Sequence, residues 1–198
     1  LEISLKNIVR MIKSLFLYLS LILCLTACSK TEPVSADRKA ITEKINRLYD
    51  QYGSSNEAVY NQPIPDDLFS PELKKLLETA INTSKADIEK VKNSDHPDEK
   101  PLLFEGAIFS SLYEGYSSYT LQSIDIKGNT ADAVIDFEHS DVTDNPAASS
   151  KILWKDRIHL VNMENKGWRI DNISFDQKIA NSKDLKTSLT DFTQVIQQ

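Results

Sequence analysis

An almost unbroken apolar run from Leu15 to Cys28 precedes a chain that mixes polar and apolar side chains at short spacing as far as Gln198. The two parts call for separate readings. The first begins at Met11 with a positive start at Lys13, continues as an apolar stretch from Leu15 to Leu23, and ends in small residues ahead of a cysteine. That three-part layout is the layout of an export signal. A membrane-spanning helix needs about 20 apolar residues, so this stretch is too short to be one. Residues 1–27 are therefore expected to be a signal peptide, with Met11 as an alternative start, and the folded domain is expected on the C-terminal side of it.

The boundary Leu25-Thr26-Ala27-Cys28 resembles the lipobox of bacterial lipoproteins. The resemblance implies that Cys28 is diacylated on sulfur (palmitate-type chains) and becomes the first residue of the mature protein. One acyl chain holds a bilayer only marginally and two hold it stably, so a lipidated Cys28 would anchor the domain to a membrane. Ser29 follows where an aspartate would resemble an inner-membrane retention signal. In a Gram-negative source this implies the outer membrane, facing the periplasm. Of the two cysteines, Cys24 leaves with the signal and Cys28 is taken by lipid, so no thiol remains for a disulfide, a metal or a nucleophile.

Losing Lys6, Arg10, Lys13 and Glu2 with the signal changes the formal net charge from −6 to −8. An acidic surface repels phosphate backbones and anionic headgroups, which argues against a nucleic-acid partner and leaves membrane attachment to the lipid.

Residues 28–35 contain Pro33 and no apolar period, and read as a tether of about 20 Å at roughly 3.3 Å per extended residue. From Ala36 the apolar residues Ile41, Ile45, Leu48 and Tyr52 mark one face of a helix, with Gly53 placed to stop it. A loop carrying Pro63 and Pro65 comes next. Ser70-Pro71-Glu72-Leu73 then offers an N-cap, a proline at the first helical position and an early acid. The helix it opens has an apolar stripe of Leu73, Leu76, Leu77, Ala80, Ile81, Ile88 and Val91.

Beyond Pro101 the period falls to two. Tyr119–Ile126 and Ala131–His139 form a hairpin around Lys127-Gly128-Asn129-Thr130; Ile152–Met163 and Trp168–Phe175 form a second around Glu164-Asn165-Lys166-Gly167. Ser140–Ser150 is polar and reads as a loop. A last amphipathic helix is expected over 183–197, with Leu185, Leu189, Phe192 and Ile196 on one face. This order predicts one α+β domain over 36–198, with N-terminal helices packed on a curved antiparallel sheet and a C-terminal amphipathic helix.

Leu68-Phe69-Ser70-Pro71-Glu72-Leu73, Trp154-Lys155-Asp156-Arg157 and Gly167-Trp168-Arg169-Ile170-Asp171-Asn172-Ile173 resemble stretches of the YbjP-like bacterial lipoproteins. That family has a domain of unknown function similar to the nuclear-transport-factor-2-like cone. The resemblance implies a cone-like fold and no assigned activity.

Asp156 alternates with Trp154, Ile158 and Leu160, which places a carboxylate on an apolar face. Such a group would have a raised pKa and could serve as an acid or base in a pocket, or as a structural acceptor. Tyr113, Tyr116 and Tyr119 could line the same pocket or cover core, and Asp171 lies on a strand whose Ile170 and Ile173 share a face only across a bulge. Trp154 and Trp168 read as sheet core. His96 among Asp95, Asp98 and Glu99 matches no metal motif, and His139 and His159 have no partner nearby in sequence. No Gly-rich phosphate loop, Gly-x-Ser-x-Gly elbow or His-Glu-x-x-His run is present. The expectation is a non-catalytic envelope lipoprotein without cofactor or metal, binding another envelope protein. The alternatives are an immunity protein against a secreted toxin and a small-molecule or enzymatic pocket built on Asp156.

Overall fold

The computed structural model describes residues 32–53, 57–141 and 150–195. The expected signal peptide and lipobox, with Cys28, lie outside the described residues, as do Ile196 and the middle of the expected polar loop, 142–149. Contacts divide the chain into two compact units, Leu1–Asp37 and Arg38–Gln198. Of the first unit the described residues are helical. They belong to α1 (Glu32–Tyr52), so helix replaces the extended tether expected over its last four residues. The second unit holds the rest of the fold.

Within that unit α1 buries Ile41, Ile45, Leu48, Tyr49 and Tyr52. A short α2 (Glu57–Asn61) occupies part of the segment expected to be loop, held by the buried Val59. α3 (Pro71–Lys92) starts as its sequence dictates. The Ser70 hydroxyl accepts the Leu73 N–H at 3.2 Å, and Pro71 takes the first position, where a missing N–H costs nothing. Leu73, Leu77, Ala80, Ile81 and Ser84 form its buried stripe.

Four strands make a single antiparallel sheet of order β1-β2-β3-β4: β1 (Ser118–Lys127), β2 (Thr130–Asp141), β3 (Ser150–Met163) and β4 (Gly167–Ser174). Gly128, at φ 63, supplies the left-handed residue needed for the two-residue β1–β2 turn. The β2–β3 pairing runs out to Ser140↔Lys151 and Asp141↔Ser150, so the strands claim both ends of the expected loop. Between β3 and β4 the register shifts, with Leu160 opposite Ile170 and His159 opposite Asn172. Asp171 is the extra residue, and the bulge lets Ile170 and Ile173 both reach the core with no exposure.

The sheet is strongly two-faced. Ala131, Ala133, Ile135 and Phe137 of β2 and Trp154, Ile158 and Leu160 of β3 are buried, as are Trp168, Ile170 and Ile173 of β4. α4 (Leu185–Val195) adds Leu189 and Leu185 to that core. It starts at Leu185 rather than 183 because the Asp184 carboxylate caps it, accepting the Thr187 N–H at 2.8 Å. The molecule is thus α+β, with four helices and a four-stranded antiparallel sheet among the described residues.

Candidate functional site

β3 sets Asp156 on the sheet's buried face, directly opposite Ile135 of β2 and 1% exposed. Three segments meet at its carboxylate. Oδ2 accepts the Ser111 backbone N–H at 2.9 Å and the Trp154 indole N–H at 3.3 Å. Oδ1 accepts the Ser111 hydroxyl and the Asp176 N–H, the latter at 3.2 Å. Burial, the largest influence, pushes the Asp156 pKa up, and the bonds from Ser111, Asp176 and Trp154 offset part of that rise. A carboxylate offers about four lone-pair sites, and four donors occupy them. The arrangement suits a group that pins the irregular Pro101–Ser117 segment and the end of β4 to the middle of the sheet.

Around Asp156 the space is taken up by aromatic rings. Trp154 stacks on Phe137 with centroids 5.2 Å apart, and Tyr49 meets Phe137, Tyr116 and Tyr119 at 5.4, 5.6 and 4.7 Å. The hydroxyls of Tyr49 and Tyr116 are buried without a hydrogen-bond partner among the described residues. Burial first, and then the charge of Asp156, hold the Tyr49 pKa well above its ordinary value. Trp154, Tyr116 and Tyr119 therefore join Asp156 in one packed cluster, and Trp168 lies in the core at 2% exposure.

Tyr113 and Asp171 make their polar contacts elsewhere. Tyr113 is 60% exposed and bonds Glu105 at 3.1 Å; it borders a surface cavity of about 270 Å³ with Ser111, Phe175 and Ser188. Asp171 pairs with Lys186 of α4 at 2.9 Å, and the same ammonium reaches Glu72 of α3 at 2.7 Å. Larger surface cavities, of about 510 and 370 Å³, are lined by Asp87, Lys90 and Lys100 and by Asp66, Lys74 and Arg169 respectively. Asp156 borders none of the three.

The opposite face of the sheet carries paired charges: Lys155 with Asp136 at 2.5 Å, Lys151 with Glu138 at 2.7 Å, and Arg157 with Asp132 at 3.7 Å. His159, which has no partner nearby in sequence, is connected on both of its ring nitrogens. Its Nδ1 lies 2.5 Å from Asp132 Oδ1 and its Nε2 lies 2.7 Å from Ser174 Oγ. Positions 27 and 15 residues away give no sequence signal; only the register of three strands aligns them. His139 bonds the Gly115 carbonyl at 3.0 Å. His96 is exposed, and no group of three or more potential metal ligands occurs among the described residues.

No helix among the described residues is long and apolar enough to cross a membrane. No family model, curated protein or solved structure matches the chain.

Proposed function

We propose that the chain is the precursor of a bacterial lipoprotein, lipidated at Cys28, whose acidic domain binds another protein of the cell envelope through its outer surface. The address rests on the Leu25-Thr26-Ala27-Cys28 boundary and on its resemblance to the YbjP-like lipoproteins. In that reading the helices and sheet form a cone-like domain over 36–198, held at the outer membrane on its periplasmic side.

One observation carries the choice of surface over interior: the carboxylate best placed for chemistry inside the domain, Asp156, is saturated by Ser111, Trp154 and Asp176. A pocket acid needs a free lone pair or proton aimed at a vacancy. Asp156 has neighbours in place of both, which supports a structural role and weighs against the small-molecule alternative.

Crosslinking in intact cells, followed by mapping of the crosslinked residues, tests the reading. Crosslinks from the outer sheet face and loops to one envelope protein, lost when Cys28→Ser releases the domain, are the expected result. Recovery of an uncrosslinked domain with a small molecule in its interior would overturn it.

A further inference from the structure

Asp132 of β2, His159 of β3 and Ser174 of β4 lie in a line across the sheet's outer face. Asp132 and His159 are direct register partners, and Ser174 is diagonal to His159, beyond Asn172. Residues so placed on neighbouring strands share a face and come within side-chain reach. The 2.5 Å contact between Nδ1 and an acceptor-only carboxylate fixes the imidazole proton on Nδ1. In the neutral ring Nε2 then presents its lone pair toward the Ser174 hydroxyl at 2.7 Å.

Carboxylate, imidazole and hydroxyl in this order are the arrangement that makes a serine oxygen nucleophilic, and it is recognised by geometry rather than by position in the chain. Two further features favour reactivity. The Asp132 and His159 side chains are 34% and 33% exposed and Ser174 is half-buried, so all three residues of the line reach solvent. Arg157, the direct register partner of Ser174, brings a guanidinium to the same face, 3.7 Å from Asp132.

We propose that Ser174 is a nucleophile toward carboxylic esters, with His159 as general base and Asp132 as the residue that positions it. Ser174 Oγ bonds to the ester carbonyl carbon as its proton passes to Nε2. The bond from that carbon to the alcohol oxygen breaks, and Nε2 returns the proton to the departing alcohol, leaving acyl-Ser174. Water then attacks the acyl carbon, giving a proton to Nε2. Collapse releases the carboxylic acid and restores the Ser174 hydroxyl with that proton. Arg157, opposite Ser174 in register, would supply positive charge for the oxyanion of each addition by turning from its pair with Asp132. The three residues border none of the three surface cavities. Their open setting suits an ester projecting from an extended molecule laid on the strands.

This activity is independent of the binding reading and is tested apart from it. The full-length protein, extracted in detergent, is treated with a fluorophosphonate probe and with 4-nitrophenyl acetate, and the modified peptide is identified by mass spectrometry. Both reagents are expected to mark Ser174, and Ser174→Ala to remove the mark. His159→Gln is expected to slow labelling by about 100-fold or more, the usual contribution of a general base. Asp132→Asn should slow it too, with partial recovery in Asp132→Glu, a pattern that a purely structural aspartate would not give. Where His159→Gln loses its fold, Asp132→Asn decides by the same criterion. An unmarked Ser174, or labelling at an unchanged rate in a folded His159→Gln or Asp132→Asn protein, overturns the proposal.

Discussion

The backbone N–H of Ser111 donates to the Asp156 carboxylate at 2.9 Å across 45 residues of sequence, and the Ser111 hydroxyl donates to its other oxygen. A loop with no regular structure of its own is thereby tied to the centre of the sheet. Buried backbone donors in such a loop need acceptors, and this side chain supplies them.

Asp156→Asn tests that role. An amide offers one oxygen in place of two and turns an NH₂ toward the N–H groups of Ser111 or Asp176, so about 1–3 kcal/mol of stability should be lost in urea unfolding. The pH dependence carries a second signature. Because the folded pKa is raised above the unfolded value near 3.8, the folded state holds the proton more tightly and stability falls as pH rises through the interval between the two. The Asn variant should lack that contribution. A variant as stable as the parent at every pH would show that the four bonds do not hold the loop.

Tyr49 offers a change in the other direction. Its hydroxyl is buried without a partner among the described residues, so the folded state carries an unmet desolvation cost. Tyr49→Phe keeps the ring contacts with Phe137, Tyr116 and Tyr119 and should raise stability by about 1 kcal/mol. A clear loss of stability would mean that the hydroxyl has a partner, such as a buried water or ligand, and would favour an interior site.

Gly106 stands at φ 85, and a Cβ placed there would come within 2.5 Å of Cδ2 of Tyr113. Gly106→Ala should cost about 1–3 kcal/mol through backbone strain and must also displace the Tyr113 ring. A double-mutant cycle with Tyr113→Ala separates the two, since the truncation relieves the clash and leaves the strain. Additive effects would show that ring and glycine are not coupled.

Lys186 joins α4 to α3 through Glu72 and to the β4 bulge through Asp171. Glu72 is 71% exposed and Asp171 27%, so the pair with Asp171 should dominate. Lys186→Met should lower stability by about 1 kcal/mol, less so in high salt, because the more exposed part of the network is screened. Thermal melts at low and high ionic strength would decide this, and an unchanged midpoint at low salt would count against it.

The fold was legible in the sequence wherever one face was continuously buried. Alternation of Trp154, Asp156, Ile158 and Leu160 put a carboxylate on the core side, and the clash of period between Ile170 and Ile173 required the bulge that Asp171 occupies. The tyrosines were harder to place. In sequence Tyr113, Tyr116 and Tyr119 fit a pocket lining as well as core; Tyr113 and Tyr116 lie in an irregular segment, and the first turns to solvent while the second packs on Tyr49. Least legible was the line Asp132, His159, Ser174, because strand register is decided by the core face and its consequences on the other face emerge only once the strands are paired.

Lipidation of Cys28, on which the envelope function depends, is tested by the mass of the mature N-terminal peptide. Protein extracted from membranes of cells expressing the full chain should yield a peptide that begins at Cys28 and carries a diacylglyceryl group. A peptide continuing through Ala27 into an unmodified Cys28, in protein recovered from the membrane, would contradict the anchor and with it the envelope function proposed for the domain.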